Sequence, residues 1–240
     1  MKYKLVWEDN FNYPTEELKE HFLFEHGGRW ANQEIQYYTN GDNVKIENNM
    51  LVIESRKEDV ENKHYTSARI TTRGIKEFQY GRIAVCAKIP RAKGSWPAIW
   101  MMPVEGRKYG WPRCGEIDIM EHTPQELDYI HSSLHSGTYN HVKNTQRTYK
   151  KYFDNVDRFI EYAMDWTKDY IEFFVNGESL VRYNKGGEGI DTSFEGWPFD
   201  QKFYLILNTA VGGTWGGEVD DESLPWTHEF KYIRYYEIDE

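Results

Sequence analysis

The chain has 240 residues, 39% hydrophobic and 16% aromatic, which fits one large β domain or two small ones. Its formal net charge of −10 argues against nucleic acid, anionic membranes and sulfated or acidic polymers as partners. No apolar run approaches the ~18 residues of a membrane span, and two cysteines, Cys86 and Cys114, do not make a disulfide framework. No linker, low-complexity tract or repeat divides the chain, so a single domain over residues 1–240 is expected. The 9 Trp and 18 Tyr exceed what a core of this size needs, and surplus aromatic residues tend to line binding surfaces.

The opening MKYKLVWEDN reads as a polar strand, without the pattern of a signal peptide. TEELKEHFLF, near residue 20, is the only stretch with a helical look. NVKIENNMLVIES is two strands around the turn Asn48-Asn49. YGRIAVCAKI alternates Ile83, Val85, Ala87 and Ile89 against Arg82, Ala84, Cys86 and Lys88. In SWPAIWMMP, Trp96, Ala98, Trp100 and Met102 share one face, with Pro97, Ile99 and Met101 on the other; one face should be core and one cleft. Residues 141–158 carry a basic cluster (Lys143, Arg147, Lys150, Lys151, Arg158), read as a solvated loop face. YIEFFVNGESLVRY is a second hairpin, turning at Asn176-Gly177, and KFYLILNTAV and FKYIRYYEI are further strands. Many strands separated by turn signals imply an all-β jelly-roll sandwich of two antiparallel sheets with a concave cleft, a shape suited to a linear polymer.

GEIDIMEH, residues 115–122, sets three carboxylates among apolar residues. Strict alternation puts Glu116 and Asp118 on one face and sends Glu121 to the other, with Ile117 and Ile119. One extra residue in the strand, a β-bulge near Ile119-Met120, returns Glu121 to the face of the other two acids. Three close carboxylates cannot all ionise easily, so at least one pKa must rise. A raised carboxyl beside an ionised one is the pair that glycoside hydrolysis needs.

GEIDIMEH closely resembles the signature of glycoside hydrolase family 16 in its bulged, laminarinase-like form. WANQEIQYYT, YTSARITT, GSWPAIWMMP, WPRCGEIDIMEH and LNTAVGGTWGG follow in the family's order, so the resemblance spans nearly the whole chain. It implies an endo-acting, retaining hydrolase of β-1,3-glucan or mixed β-1,3/1,4-glucan, monomeric and secreted or on the cell surface. Glu116 would be the nucleophile, Glu121 the acid/base, and Asp118 their assistant. Trp96, Trp100, Trp111 and Trp215 would be sugar platforms; Arg69, with Asn32 and Glu34, would reach the glycone, and His135 would stand by the catalytic row. His131 and His135, four apart on a strand, are no zinc pair. Alternatives are a marine galactan hydrolase of agar or carrageenan type, of which the sulfated carrageenan is disfavoured by the net charge, and a non-catalytic β-glucan-binding domain or lectin, the former disfavoured by the three intact acids. Two departures from the family pattern stand out. Ala84 and Cys86 replace Glu and Arg residues that would bond the glycone. Lys231, in FKYIRYY, replaces the acid of a structural calcium site, so no cofactor or metal is expected.

Overall fold

The computed structural model describes residues 2–154, 156 and 158–239. In chain order its strands are β1 (Lys2–Asp9), β2 (Leu23–Glu25), β3 (Gln36–Tyr38), β4 (Val44–Glu47), β5 (Met50–Val60) and β6 (Lys63–Ser67). There follow β7 (Arg69–Thr71), β8 (Gly81–Lys88), β9 (Ser95–Pro103), β10 (Glu116–Glu121), β11 (Tyr129–His135) and β12 (Arg147–Tyr152). The last are β13 (Ile160–Trp166), β14 (Tyr170–Val175), β15 (Glu178–Asn184), β16 (Phe203–Val211) and β17 (Trp226–Asp239). Single helical turns appear at α1 (Leu18–His21), inside the expected stretch, and also at α2 (Gly106–Tyr109) and α3 (Gly213–Gly216). The two later turns escaped sequence reading because four residues are too few to show a helical period.

Two sheets pack face to face. One runs β12-β11-β10-β9-β16-β7-β2; the other runs β15-β14-β13-β8-β17-β5-β6-β3, with β1 on β17 and β4 on β5. Pairing is antiparallel except for β3 beside β6. Asn48 and Asn49 have φ of 52° and 56°, and Asn176 and Gly177 have 48° and 77°, as the tight hairpin turns require. Ile83, Val85 and Ala87 of β8, Ile99 and Met101 of β9, and Ile117, Ile119 and Met120 of β10 all enter the core between the sheets. Trp166, Tyr162 and Phe203 are among its largest fully buried side chains. Each such side chain contributes on the order of 1.5–3 kcal/mol by leaving water.

Two expectations fail. Ala84 and Cys86 do not border the sugar-binding face. They lie on β8 in the ten-stranded sheet, Cys86 opposite Glu161 and Tyr232 and Ala84 opposite Ala163 and Arg234, across the core from β10. Cys86 and Cys114 are both buried and free. The basic cluster is no loop: Arg147, Lys150 and Lys151 belong to β12, an edge strand, where Lys150 pairs with Glu126 and Lys151 with Glu178. Lysines on an edge strand discourage pairing with another chain.

Candidate active site

β10 lies between β9 and β11, so its outward side chains stand mid-sheet. The register carries the bulge. Asp118 sits opposite Ser133 and Glu121 opposite His131, three residues on β10 against two on β11. On the other side, Asp118 faces Trp100 and Met120 faces Ile99, two residues against one. Ile119 and Met120 therefore both turn inward, at 1% and 0% exposure. The Ser132 hydroxyl donates to the Ile119 carbonyl at 2.9 Å and satisfies a backbone group that the irregular ladder would orphan. Glu116, Asp118 and Glu121 consequently line one cleft of about 530 Å³.

All three carboxyls are hard to ionise. Burial, then the neighbouring Asp118 charge, pushes Glu116 up to about 8. Burial, then the Glu116 charge, pushes Glu121 up to about 7. Asp118 is raised well above the usual carboxylate range by burial and by Glu121. The row thus retains protons at neutral pH, the state that glycosidic acid catalysis requires. Its partners fix each acid. The Trp96 indole donates to Glu121 Oε1 at 3.1 Å. His135 Nε2 lies 3.2 Å from Asp118 Oδ2 and 4.0 Å from Glu116 Oε1. Glu116, Asp118 and His135 are also, among the described residues, the one gathering of three candidate ligand side chains. His131 stands apart from them, 3.1 Å from Glu126 Oε2 and packed on Trp215, with burial lowering its pKa to about 4.

The walls are aromatic. Trp96, Ala98, Trp100 and Met102 all face the cleft, so both tryptophans of β9 are surface-lining, and the opposite face of the strand is core. Trp215 meets Trp96 edge to face at 5.6 Å between ring centroids. Trp111, 39% exposed, flanks Glu116 beside His135 and His141. Arg69 lies between two indoles, 4.8 Å from the Trp30 ring and 4.7 Å from the Trp100 ring, and its Nε donates to Glu25 at 2.6 Å. Stacking and ion pair together hold the guanidinium flat along the wall. Asn32 and Glu34 enter the cleft from the loop before β3, and Glu34 accepts from Gln36 Nε2 at 2.8 Å. That loop presses on the Gly212-Gly213 turn, where a Cβ at Gly213 would come 2.8 Å from the Asn32 carbonyl. Glycine there, at φ 74°, permits the contact.

The structure thus gathers the expected catalytic and sugar-binding residues in one cleft, leaves Ala84, Cys86 and His131 outside it, and adds others. Trp30 stacks on Arg69, and Asn208 accepts the Trp100 indole N–H at 2.7 Å while donating to the Tyr38 hydroxyl at 3.0 Å. Trp30 carried a usable signal, a tryptophan in polar, loop-like sequence two residues before Asn32. Asn208 carried a weaker one, a lone amide inside the apolar run FYLILNTAV.

Comparison with known proteins follows the same lines. The model for Glycosyl hydrolases family 16 matches residues 30–228. A beta-glucanase of Rhodothermus marinus is 41% identical, covering 98% of this chain and 85% of that protein. A glucan endo-1,3-beta-glucosidase of Cryptopygus antarcticus is 37% identical, covering 96% and 90%. The X-ray structure of the laminarinase from Rhodothermus marinus superposes with a TM-score of 0.94 at 39% identity, covering 100% of this chain and 99% of that one.

Proposed function

The chain belongs to glycosyl hydrolases family 16, and we infer that it is an endo-acting hydrolase of β-1,3-glucan, with mixed β-1,3/1,4-glucan as a further substrate. The observation that carries this reading is the bulged row Glu116, Asp118, Glu121 at the floor of an aromatic cleft. Indole faces suit the apolar faces of pyranose rings, while Arg69, Asn32 and Glu34 offer partners for hydroxyls.

In this reading bound substrate draws the row's proton onto Glu121, against the order of about 8 for Glu116 and 7 for Glu121 in the empty cleft, so that ionised Glu116 attacks the anomeric carbon as Glu121 gives its proton to the departing glycosidic oxygen. The bond to that oxygen breaks and a glycosyl ester forms on Glu116. Glu121, now a carboxylate, takes a proton from water, whose oxygen attacks the same carbon and frees Glu116. The Trp96 N–H holds Glu121 in place through both steps. Asp118 and His135 set the charge around Glu116. A galactan substrate is not favoured: a keratan-sulfate endo-1,4-beta-galactosidase of Sphingobacterium multivorum matches 72% of this chain at 36% identity, against 98% at 41% for the beta-glucanase. A purely binding role would not need three costly acids in the groove.

Reducing sugar released from laminarin, lichenan, agarose and carrageenan tests the assignment. Laminarin should be cleaved fastest, lichenan more slowly, and the two galactans not at all; preferential cleavage of agarose would overturn it. Two inversions at one carbon also fix the stereochemistry. The first laminarin product should be the β-anomer, followed by proton NMR in the first minutes. An early α-anomer would mean a single displacement by water, and Glu116 would not be the nucleophile.

We expect no structural calcium: Lys231, whose ammonium lies 4.0 Å from the Phe159 ring centroid, stands in the sequence where the family pattern has an acid. Asp9 of the first strand is already engaged by the Phe11 N–H and the Tyr13 hydroxyl, both at 2.9 Å. A chelator should therefore leave the melting temperature unchanged; a drop that calcium reverses would reveal a site built from other ligands. We place the enzyme outside the cell as a monomer, because a polysaccharide is too large to cross a membrane. Light scattering, and activity in medium against lysate, check both points.

A further inference from the structure

A second cavity, of about 480 Å³, opens beside the catalytic cleft and shares Met102 and Trp111 with it. The strand register explains its place. Ile117 pairs with Met101, so Glu116 stands beside Met102. Met102 pairs with Tyr204. Ile206 pairs with Thr71, which brings Arg73, two residues on, alongside Tyr204. One row across the sheet thus leads from Glu116 over Met102 and Tyr204 to Arg73. The main cleft runs off by different rows, from Asp118 over Trp100 and from Glu121 over Ala98 and Asn208 to Arg69, on which Trp30 stacks. Two arms therefore diverge from one catalytic centre. A linear chain can occupy only one of them.

We propose that this second arm is a branch subsite, which takes a neutral glycosyl substituent carried by the backbone unit bound next to Glu116. The proposal rests on the β-glucan reading of the main cleft. Its lining matches a pyranose: Trp111, 39% exposed, supplies aromatic surface, Met102 and Val104 an apolar floor and rim, with the buried Tyr204 behind them under Arg73. Arg73 and Arg107 supply hydroxyl donors. Arg107 is exposed and has no ion-pair partner among the described residues, whereas Arg73 lies 3.6 Å from Glu25. The apolar lining and the chain's net charge of −10 favour a neutral sugar, although Arg107 leaves one guanidinium unanswered.

The test compares a linear β-1,3-gluco-oligosaccharide with the same backbone bearing single β-1,6-glucosyl branches. Val104→Trp should fill the arm, and Arg107→Ala should remove a donor at its rim. Neither residue touches the main cleft, so kcat/KM on the linear substrate should stay unchanged. On the branched substrate it should fall about tenfold for Val104→Trp and a few-fold for Arg107→Ala. Equal effects on both substrates, or none on either, would overturn the branch subsite. The wild-type digest gives an independent reading that needs no variant. Its branched products should carry the branch on the unit at the new reducing end or next to it; branches confined to units further away would refute the proposal. Faster cleavage of a 6-sulfated backbone than of the branched neutral one would refute the neutral occupant. If the wild type left the linear substrate intact, the failure would lie in the β-glucan assignment itself.

Discussion

Glu116→Gln and Glu121→Gln should each lower kcat on laminarin by about 10³-fold or more, with the fold unchanged. An amide can neither attack the anomeric carbon nor deliver a proton, and the cleft offers no second acid in either position. Near-normal turnover in either variant would refute the roles. Azide separates the two. In Glu116→Ala it should enter the space of the missing carboxylate and give an α-glycosyl azide, with inversion. In Glu121→Ala the intact nucleophile should give the β-azide, with retention. Stability supplies the control for folding. Glu116 and Glu121 are held at about 8 and 7 in the fold, above the ~4.3 of an unfolded chain. The folded protein therefore binds more protons between these values, and its stability falls as pH rises through 7 to 8. At pH 9 each glutamine variant should melt a few degrees above the wild type, and the difference should shrink by pH 5. Variants that melt below the wild type at pH 9 would contradict the buried, mutually repelling row.

Asp118→Asn should lower kcat by about 10²-fold and also move the pH profile. The Asp118 charge is the second cause, after burial, of the raised Glu116 pKa. Removing it lets Glu116 ionise at lower pH. The acid limb of kcat/KM, which follows deprotonation of the nucleophile in free enzyme, should shift down by roughly a unit. The substitution also replaces the carboxylate oxygen that lies 3.2 Å from His135 Nε2 in the wild type, so the imidazole should move. A loss of activity with an unmoved acid limb would make Asp118 a packing residue with no electrostatic hold on Glu116.

Much of this was legible in the residues themselves. A bulge at Ile119-Met120 follows from GEIDIMEH because a period of two cannot keep three acids out of the core. The cleft face of β9 follows from alternation, and the hairpins from Asn48-Asn49 and Asn176-Gly177. Such features are local: side-chain direction and turn geometry are set within a few residues. Which sheet a strand joins is not local. The alternation of Ala84 and Cys86 marks a face of β8 without saying that this face looks away from the cleft. The Trp100–Asn208 bond joins positions 108 residues apart, and the Arg69 stack brings together Trp30 and Trp100 from separate segments. The second cavity exists only because β9, β16 and the segment after β7 come into register. Sequence periodicity fixes what each strand can offer to either side, because the pleat alternates. The neighbour that receives the offer is chosen by packing two sheets around one core, and that choice was made only in the tertiary structure.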